Sequence, residues 1–401
     1  MLNDILVLEL ANVLAGPAAA ATFAELGASV IKVENLRIGG DVTRTWKLPD
    51  EDPDSDISAY FSCANWGKQS LALDLLTSEG MEIVHALAAK ADIVIASYKP
   101  GDAEKLKVDY TTLSRRNPRL IYAHLTGYGP NNDRAGYDAI IQAETGFTLI
   151  NGEAGRKPVK MPVALMDILA AHHMKEAILL ALLNRERTGQ GTYIDVSLFR
   201  SGISSLANQA TNWLVGGRIP QAMGSDHPNI VPYGTIFFTC DKKPVVLAVG
   251  SDKQFVDLCR VLEVPEMAHD QRFATNQQRV RHREILTKML TELIAKMERK
   301  QLLEGLNGLK VPAGGVFDMK EVFELPESQE MLIESRIDED RQLKGVRNIA
   351  FRMKELNFGT PAAPPHFGEH TREVLENLLN YSKERIDTMI QKKVIYDRNN
   401  S

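Results

Sequence analysis

The first 34 residues constrain the fold more than any other stretch. An apolar run at residues 5–10 leads into Gly16-Pro17 and an alanine-rich stretch to Leu26, and a second apolar run covers residues 29–34. Short apolar runs bounded by turn residues read as buried strands. Pro17 suits the first turn of a helix and Gly27 its end. A strand, a helix and a strand in this order imply two parallel strands joined by a right-handed crossover. The pattern then repeats, with strands at 70–75, 92–98, 120–127 and 192–197 and helices at 79–91, 110–116 and 168–187, the last closed by Gly189. Such alternation specifies a Rossmann-like, doubly wound α/β domain.

The character changes after Gly216-Gly217. Residues 218–229 are rich in Gly, Pro and polar side chains and read as a linker. A hairpin is expected over 230–240 and 244–249, then helices at 252–262 and 281–296, giving a smaller α+β domain over 230–329. Residues 330–401 form a C-terminal segment: Pro361, Pro364 and Pro365 mark an extended stretch, followed by helices at 369–381 and 383–393. The large domain's N-terminal part is thus 1–217.

The chain has 401 residues, of which 44% are hydrophobic and 25% charged, with a net charge of -5. That composition supports a sizeable core and, lacking a basic stripe, argues against nucleic acid as a partner. Three scattered cysteines fit neither a disulfide framework nor a zinc site, so no metal is expected. No signal peptide is evident, and no apolar run reaches the roughly 18 residues of a membrane span, so a cytoplasmic protein is expected.

Three regions carry chemistry-bearing residues. The first strand–helix junction resembles a phosphate-binding turn, with Glu34 where a ribose-binding acid would sit. The turn reads Asn12-Val13-Leu14-Ala15-Gly16-Pro17, without the Gly-x-Gly-x-x-Gly fingerprint, which argues against a nicotinamide dehydrogenase. The second region, Asn65-Trp66-Gly67-Lys68, sets a lysine at a turn, either to meet a phosphate or as a solvated surface residue. The third is a Gly-rich loop, Gly127 to Gly136, followed by Tyr137-Asp138. Asp138 reads either as a helix cap or as a carboxylate exposed at the mouth of the sheet.

Taken in order, several stretches resemble the class III coenzyme A transferases, the CaiB/BaiF group. They are Ala15-Gly16-Pro17, residues 26–34, Gly40-Asp41-Val42-Thr43-Arg44, residues 65–74, Gly136-Tyr137-Asp138 with Gln142-Ala143, residues 185–191, residues 195–198 and residues 368–375. The resemblance spans about residues 5–379. It implies an interlocked homodimer and transfer of CoA from an acyl-CoA of the succinyl-CoA type to a small carboxylic acid, with CoA thioesters as substrates and no permanently bound cofactor. It implies Asp138 as the nucleophile, working through mixed anhydrides and an aspartyl-CoA thioester. Val13 and Leu14 match the loop that lies against CoA and substrate, Lys68 a basic position near the CoA phosphates and Tyr98 an aromatic near the adenine, while Lys105, also a candidate for CoA, falls close to an arginine of the family. Arg37 lies just beyond Asn35, where many members carry Arg or Pro. Asn35, Gln69 and Ser97 depart from common family residues and put individual phosphate contacts in doubt. The resemblance also makes Tyr137 a candidate substrate-binding residue. Arg44 is a candidate to pair with a second substrate carboxylate, or else a structural ion pair.

Two other readings compete. The related 2-methylacyl-CoA racemases carry His where this chain has Tyr137, whose unperturbed pKa of ~10 makes it a poor base. Asp167 matches the racemases' other acid, and its expected role here is to cap or anchor the helix that follows. A non-catalytic CoA-binding protein is the third reading.

Overall fold

The computed structural model describes residues 1–338 and 341–400. The chain divides into two compact units. The first takes 1–145, 162–207 and 330–401; the second takes 146–161 and 208–329. The second unit therefore begins before the expected linker at 218 and also takes a short excursion after the Gly-rich loop.

In the first unit, the strands are β1 (Leu6–Leu10), β2 (Ser29–Asn35), β3 (Gln69–Leu73), β4 (Ile93–Ala96), β5 (Ile121–Thr126) and β6 (Thr192–Ser197). They lie in the order β3-β2-β1-β4-β5-β6, all parallel. This is the doubly wound order 3-2-1-4-5-6, in which the chain grows from β1 first to one side and then to the other. Strands β1, β3, β4 and β5 are buried almost throughout, as parallel strands covered on both faces must be. The helix Ala15–Glu25 owes its burial to its alanines, which let it approach the sheet closely. The long helix Leu165–Thr188 ends at Gly189 in the left-handed conformation, the backbone state glycine adopts most readily.

The C-terminal segment returns to this unit. Val374, Leu375, Ile386 and Met389 join Leu8, Ile31, Leu71 and Val94 in one core. Two later strands, β10 (Leu332–Arg336) and β11 (Gln342–Val346), pair antiparallel. The short strand β12 (Ile395–Tyr396) adds antiparallel to β3. The Pro-rich stretch has no regular structure, and its Ala362 carbonyl accepts the Gly67 amide at 2.9 Å.

The second unit has its own antiparallel sheet of β7 (Tyr233–Phe238), β8 (Pro244–Ala248) and β9 (Ala313–Gly315). Helices Asp252–Val261, Arg283–Ile294 and Arg299–Gly308 supply Phe255, Leu258, Leu286, Leu290 and Leu302 to a separate core. Ser251 and Gln254 close a capping box on the first of them. No helix among the described residues is long and apolar enough to cross a membrane.

Candidate active site

A cleft of about 260 Å³ opens at the carboxyl ends of β1, β4, β5 and β6. It sits where the strand order reverses, between β1 and β4. Loops leaving these strands diverge there, and open α/β sheets bind ligands at such points. Its wall takes Asn12 to Ala15 after β1, Ser97 to Pro100 after β4, Leu125 to Gly127 at the end of β5, and Leu198 after β6.

Each loop is tied down. Val13 has φ 71°, and its amide donates to both carboxylate oxygens of Asp41 at 3.2 and 3.3 Å. The Asn12 amide donates to Ser97 Oγ at 3.1 Å, joining the first loop to the one after β4. His124 bridges the Tyr98 carbonyl and the Tyr193 hydroxyl, each at 2.9 Å, which fixes the backbone at Tyr98. The Gly-rich loop is pinched at its base. A Cβ on Gly136 would lie 2.5 Å from the Gly127 Cα, so only glycine fits there. Across that loop Arg134 stacks over the Tyr128 ring at 4.3 Å, and both side chains bond to Glu144.

Two carboxylates overhang the cleft, Asp138 and Asp167. Asp138 opens the helix Asp138–Glu144. Its Oδ1 accepts the Met166 amide at 2.8 Å and its Oδ2 accepts Gln142 Nε2 at 2.8 Å. Met166 lies in the first turn of the long helix, whose own N-cap residue, Ala164, provides no side-chain cap. Asp138 thus does for that helix what was expected of Asp167. The side chain of Asp167, one residue further on, has no hydrogen bond or ion pair among the described residues. Burial, reinforced by the nearby Asp138 charge, raises its pKa to about 7. One carboxylate is held by two donors; the other is free, basic and aimed at the cleft. Tyr137, beside them, is 66% exposed.

The remaining expected residues separate into two groups. Val13, Leu14, Tyr98 and Tyr137 line the cleft with Asp138, whereas Arg37, Arg44, Lys68 and Lys105 do not. Arg44 is buried and bonds bidentately to Glu34 at 2.6 and 2.8 Å, with further bonds to the carbonyls of Asp56 and Pro365. Its guanidinium is spent on the protein, so it has nothing left for a substrate carboxylate. Lys68 has no exposed side-chain surface. Its ammonium meets Glu9 at 2.6 Å, Asn65 Oδ1 at 3.0 Å and the Pro17 carbonyl at 2.9 Å. Burial, only partly offset by Glu9, lowers its pKa to about 8. An ammonium so enclosed reaches no phosphate; it braces the first helix from beneath. Arg37 and Lys105 are exposed, paired with Asp74 and Asp102 at 2.8 Å. Two cations not singled out from the sequence, Lys99 and Arg134, do line the cleft. Both lie in loops whose path only the fold defines; Lys99 follows Tyr98 directly, which was the available signal.

The model of CoA-transferase family III matches residues 2–371. The chain belongs to CoA-transferase family III. It is 39% identical over 386 residues to a succinate--glutarate CoA-transferase of Agrobacterium fabrum, covering 94% of this chain and 95% of that one. A succinyl-CoA:glutarate CoA-transferase of Mus musculus is 33% identical over 402 residues, covering 98% and 90%. A crystal structure of a CaiB/BaiF family protein from Brucella suis superposes with a TM-score of 0.82 at 39% identity, covering 93% of this chain and 98% of that one. The chain is therefore an enzyme that transfers CoA between an acyl-CoA and a carboxylic acid. Ala15, the first residue of the helix Ala15–Glu25, also lines the cleft.

Proposed function

We propose that the enzyme exchanges CoA between succinyl-CoA and a small dicarboxylic acid such as glutarate, through a covalent intermediate on a cleft aspartate. The observation that carries this reading is the unequal pair of carboxylates. The resemblance implied Asp138 as the nucleophile. Asp138 has both oxygens engaged by donors, which lowers their nucleophilicity and fixes their direction. Asp167 has free lone pairs and a raised pKa, the properties wanted of an attacking carboxylate. We assign attack to Asp167 and the positioning of its helix to Asp138.

The steps conserve the thioester. A carboxylate oxygen of Asp167 adds to the acyl-CoA carbonyl, the C–S bond breaks, and CoA thiolate leaves behind a mixed anhydride. The thiolate adds to the aspartyl carbonyl and expels the donor acid, leaving aspartyl-CoA thioester. The acceptor carboxylate then expels the thiolate to form a second anhydride. Thiolate attack on the acceptor's carbonyl yields the new acyl-CoA and regenerates Asp167. Tyr98, the Val13–Leu14 turn and Lys99 line the cleft and would hold CoA, while Arg37 and Lys105, exposed outside its wall, would meet the phosphates only where CoA extends beyond it. Arg134 suits an acceptor's second carboxylate. The names of the two relatives support the substrates, and the free Asp167 supports the covalent step.

The interlocked homodimer that the resemblance implies belongs to the same proposal. Leu179, Leu180 and Leu183 leave an apolar face of the long helix exposed, at 48, 67 and 53%, which a second copy would cover. Interlocked chains cannot part without unfolding. Mass photometry at nanomolar concentration should show dimer alone, and a folded monomer would contradict this assembly. The function itself is tested by incubating the enzyme with succinyl-CoA and a panel of acids and weighing the CoA products. Glutaryl-CoA formation is expected; no new CoA ester from any acid would refute the reading.

A further inference from the structure

We propose that Asp41 is a positioning residue for CoA-thioester binding: by clamping the Val13 amide it holds Val13 in the left-handed backbone region and so fixes the shape of the cleft lip. The inference rests on the transferase reading and extends it to a residue outside the cleft wall.

Val13 is the only β-branched residue with positive φ among the described residues. Side chains of this kind are genuine outliers there, because the branched Cβ crowds the backbone. Such a state persists only where its surroundings over-determine it. Here the restraint is visible. Both Asp41 oxygens accept the Val13 amide. Asp41 is itself held by the Thr43 amide at 3.0 Å, the Thr43 hydroxyl at 2.8 Å and Lys32 at 2.9 Å, all buried. Lys32 also donates to the Ala11 carbonyl at 2.9 Å and to Glu9 at 2.7 Å. One buried ammonium therefore grips the loop at Ala11 directly and at Val13 through Asp41.

Glycine would take this turn without cost. A valine there places a side chain on the cleft wall, in the stretch that also starts the helix Ala15–Glu25. The strain is thus located at the binding surface and its restraint lies beneath it. Losing the clamp should let Val13 rotate to an ordinary φ and move the lip.

The test compares Asp41→Asn, Val13→Gly and the double variant. CoA itself is the calorimetric probe, and exchange kinetics are measured in parallel. Asp41→Asn should weaken CoA binding about tenfold, the ratio that roughly 1.4 kcal/mol produces. KM for the acyl-CoA should rise in step, while kcat at saturation changes less than about threefold. Adding Val13→Gly should restore part of the lost affinity, since glycine reaches positive φ unaided. Unchanged CoA affinity in Asp41→Asn, or no recovery in the double variant, would overturn the proposal. Should Asp41→Asn not fold, Val13→Gly alone decides: relief of strain keeps its melting temperature at or above that of the parent, and a clear drop refutes the strain. If the parent exchanges CoA with no acid, the transferase reading fails on its own, while the CoA-binding and melting comparisons still decide the role of Asp41.

Discussion

Two clusters of buried or half-buried charge, one drawn from residues 9–68 and the other made by Asp138 and Asp167, behave oppositely. Beneath the first loop, Lys32 and Lys68 meet Glu9 and Asp41, and Arg44 meets Glu34, with every pair opposite in sign. Burial alone would raise the pKa of Asp41 and Glu34, but Lys32 and Arg44 outweigh it and hold both below the usual carboxylate range. Above the cleft, Asp138 and Asp167 are like charges, with no cation compensating Asp167 among the described residues. There burial and the neighbour act in the same direction, and the pKa rises. The first cluster keeps Asp41 and Glu34 ionised near neutral pH and serves as structure. The second keeps one carboxyl at the edge of titration, which suits chemistry.

The largest expected break in this contrast is Asp167→Asn. It should lower CoA exchange by at least about 10³-fold, as removal of a nucleophile does, with the fold intact by circular dichroism. Its stability should report the same strain. Because the folded pKa of Asp167 is raised to about 7, the folded state binds its proton more tightly than the unfolded chain, whose aspartates titrate near ~3.9. Stability contributed by that proton is full below about 4 and is lost as pH rises through about 7. Asp167→Asn should therefore raise the melting temperature more at pH 8 than at pH 4. An equal gain at both would deny the raised pKa.

Arg44→Met tests the compensated cluster. It leaves Glu34 buried without its cation, a change that typically costs about 3–5 kcal/mol, read from urea unfolding. KM for the dicarboxylic acid should not move. A raised KM with unchanged stability would return Arg44 to substrate binding.

Asp138→Asn should be milder than Asp167→Asn, about 10–100-fold in kcat, since one oxygen still accepts the Met166 amide. Removing the neighbouring charge should also shift the acid limb of the pH–rate profile to lower pH. Loss as complete as that of Asp167→Asn, with the limb unmoved, would restore Asp138 as the nucleophile. Smallest of all, Lys105→Ala removes an exposed, solvent-screened cation and should raise KM for the acyl-CoA about twofold to fivefold.

The α/β scaffold was legible because its signals are local: apolar runs alternate with helical stretches, and glycines such as Gly189 stop helices where the backbone turns left-handed. The boundaries of the six parallel strands moved by one or two residues only. β12 was missed because two residues carry no period, and the helices Leu198–Ser204 and Ala207–Leu214 because a strand runs straight into the first of them. The site was legible as a set of segments and not as a geometry. That Val13, Tyr98 and Asp138 come together follows from loops leaving neighbouring strand ends. Sequence alone does not reveal which cations face inward. Lys68 and Arg44 look like ligand binders as residue types, yet the buried Glu9 and Glu34 claim them. Nor does it reveal which of two aspartates is bonded: the Met166 amide that occupies Asp138 lies 28 residues away.

The central claim, covalent transfer through the free carboxylate, is tested most directly by trapping. The enzyme is incubated with succinyl-CoA, quenched with hydroxylamine, digested and mapped by mass spectrometry. The account predicts a hydroxamate on Asp167 alone, absent without the CoA ester and absent in Asp167→Asn. A hydroxamate on Asp138, or turnover with no aspartyl adduct at all, would contradict it.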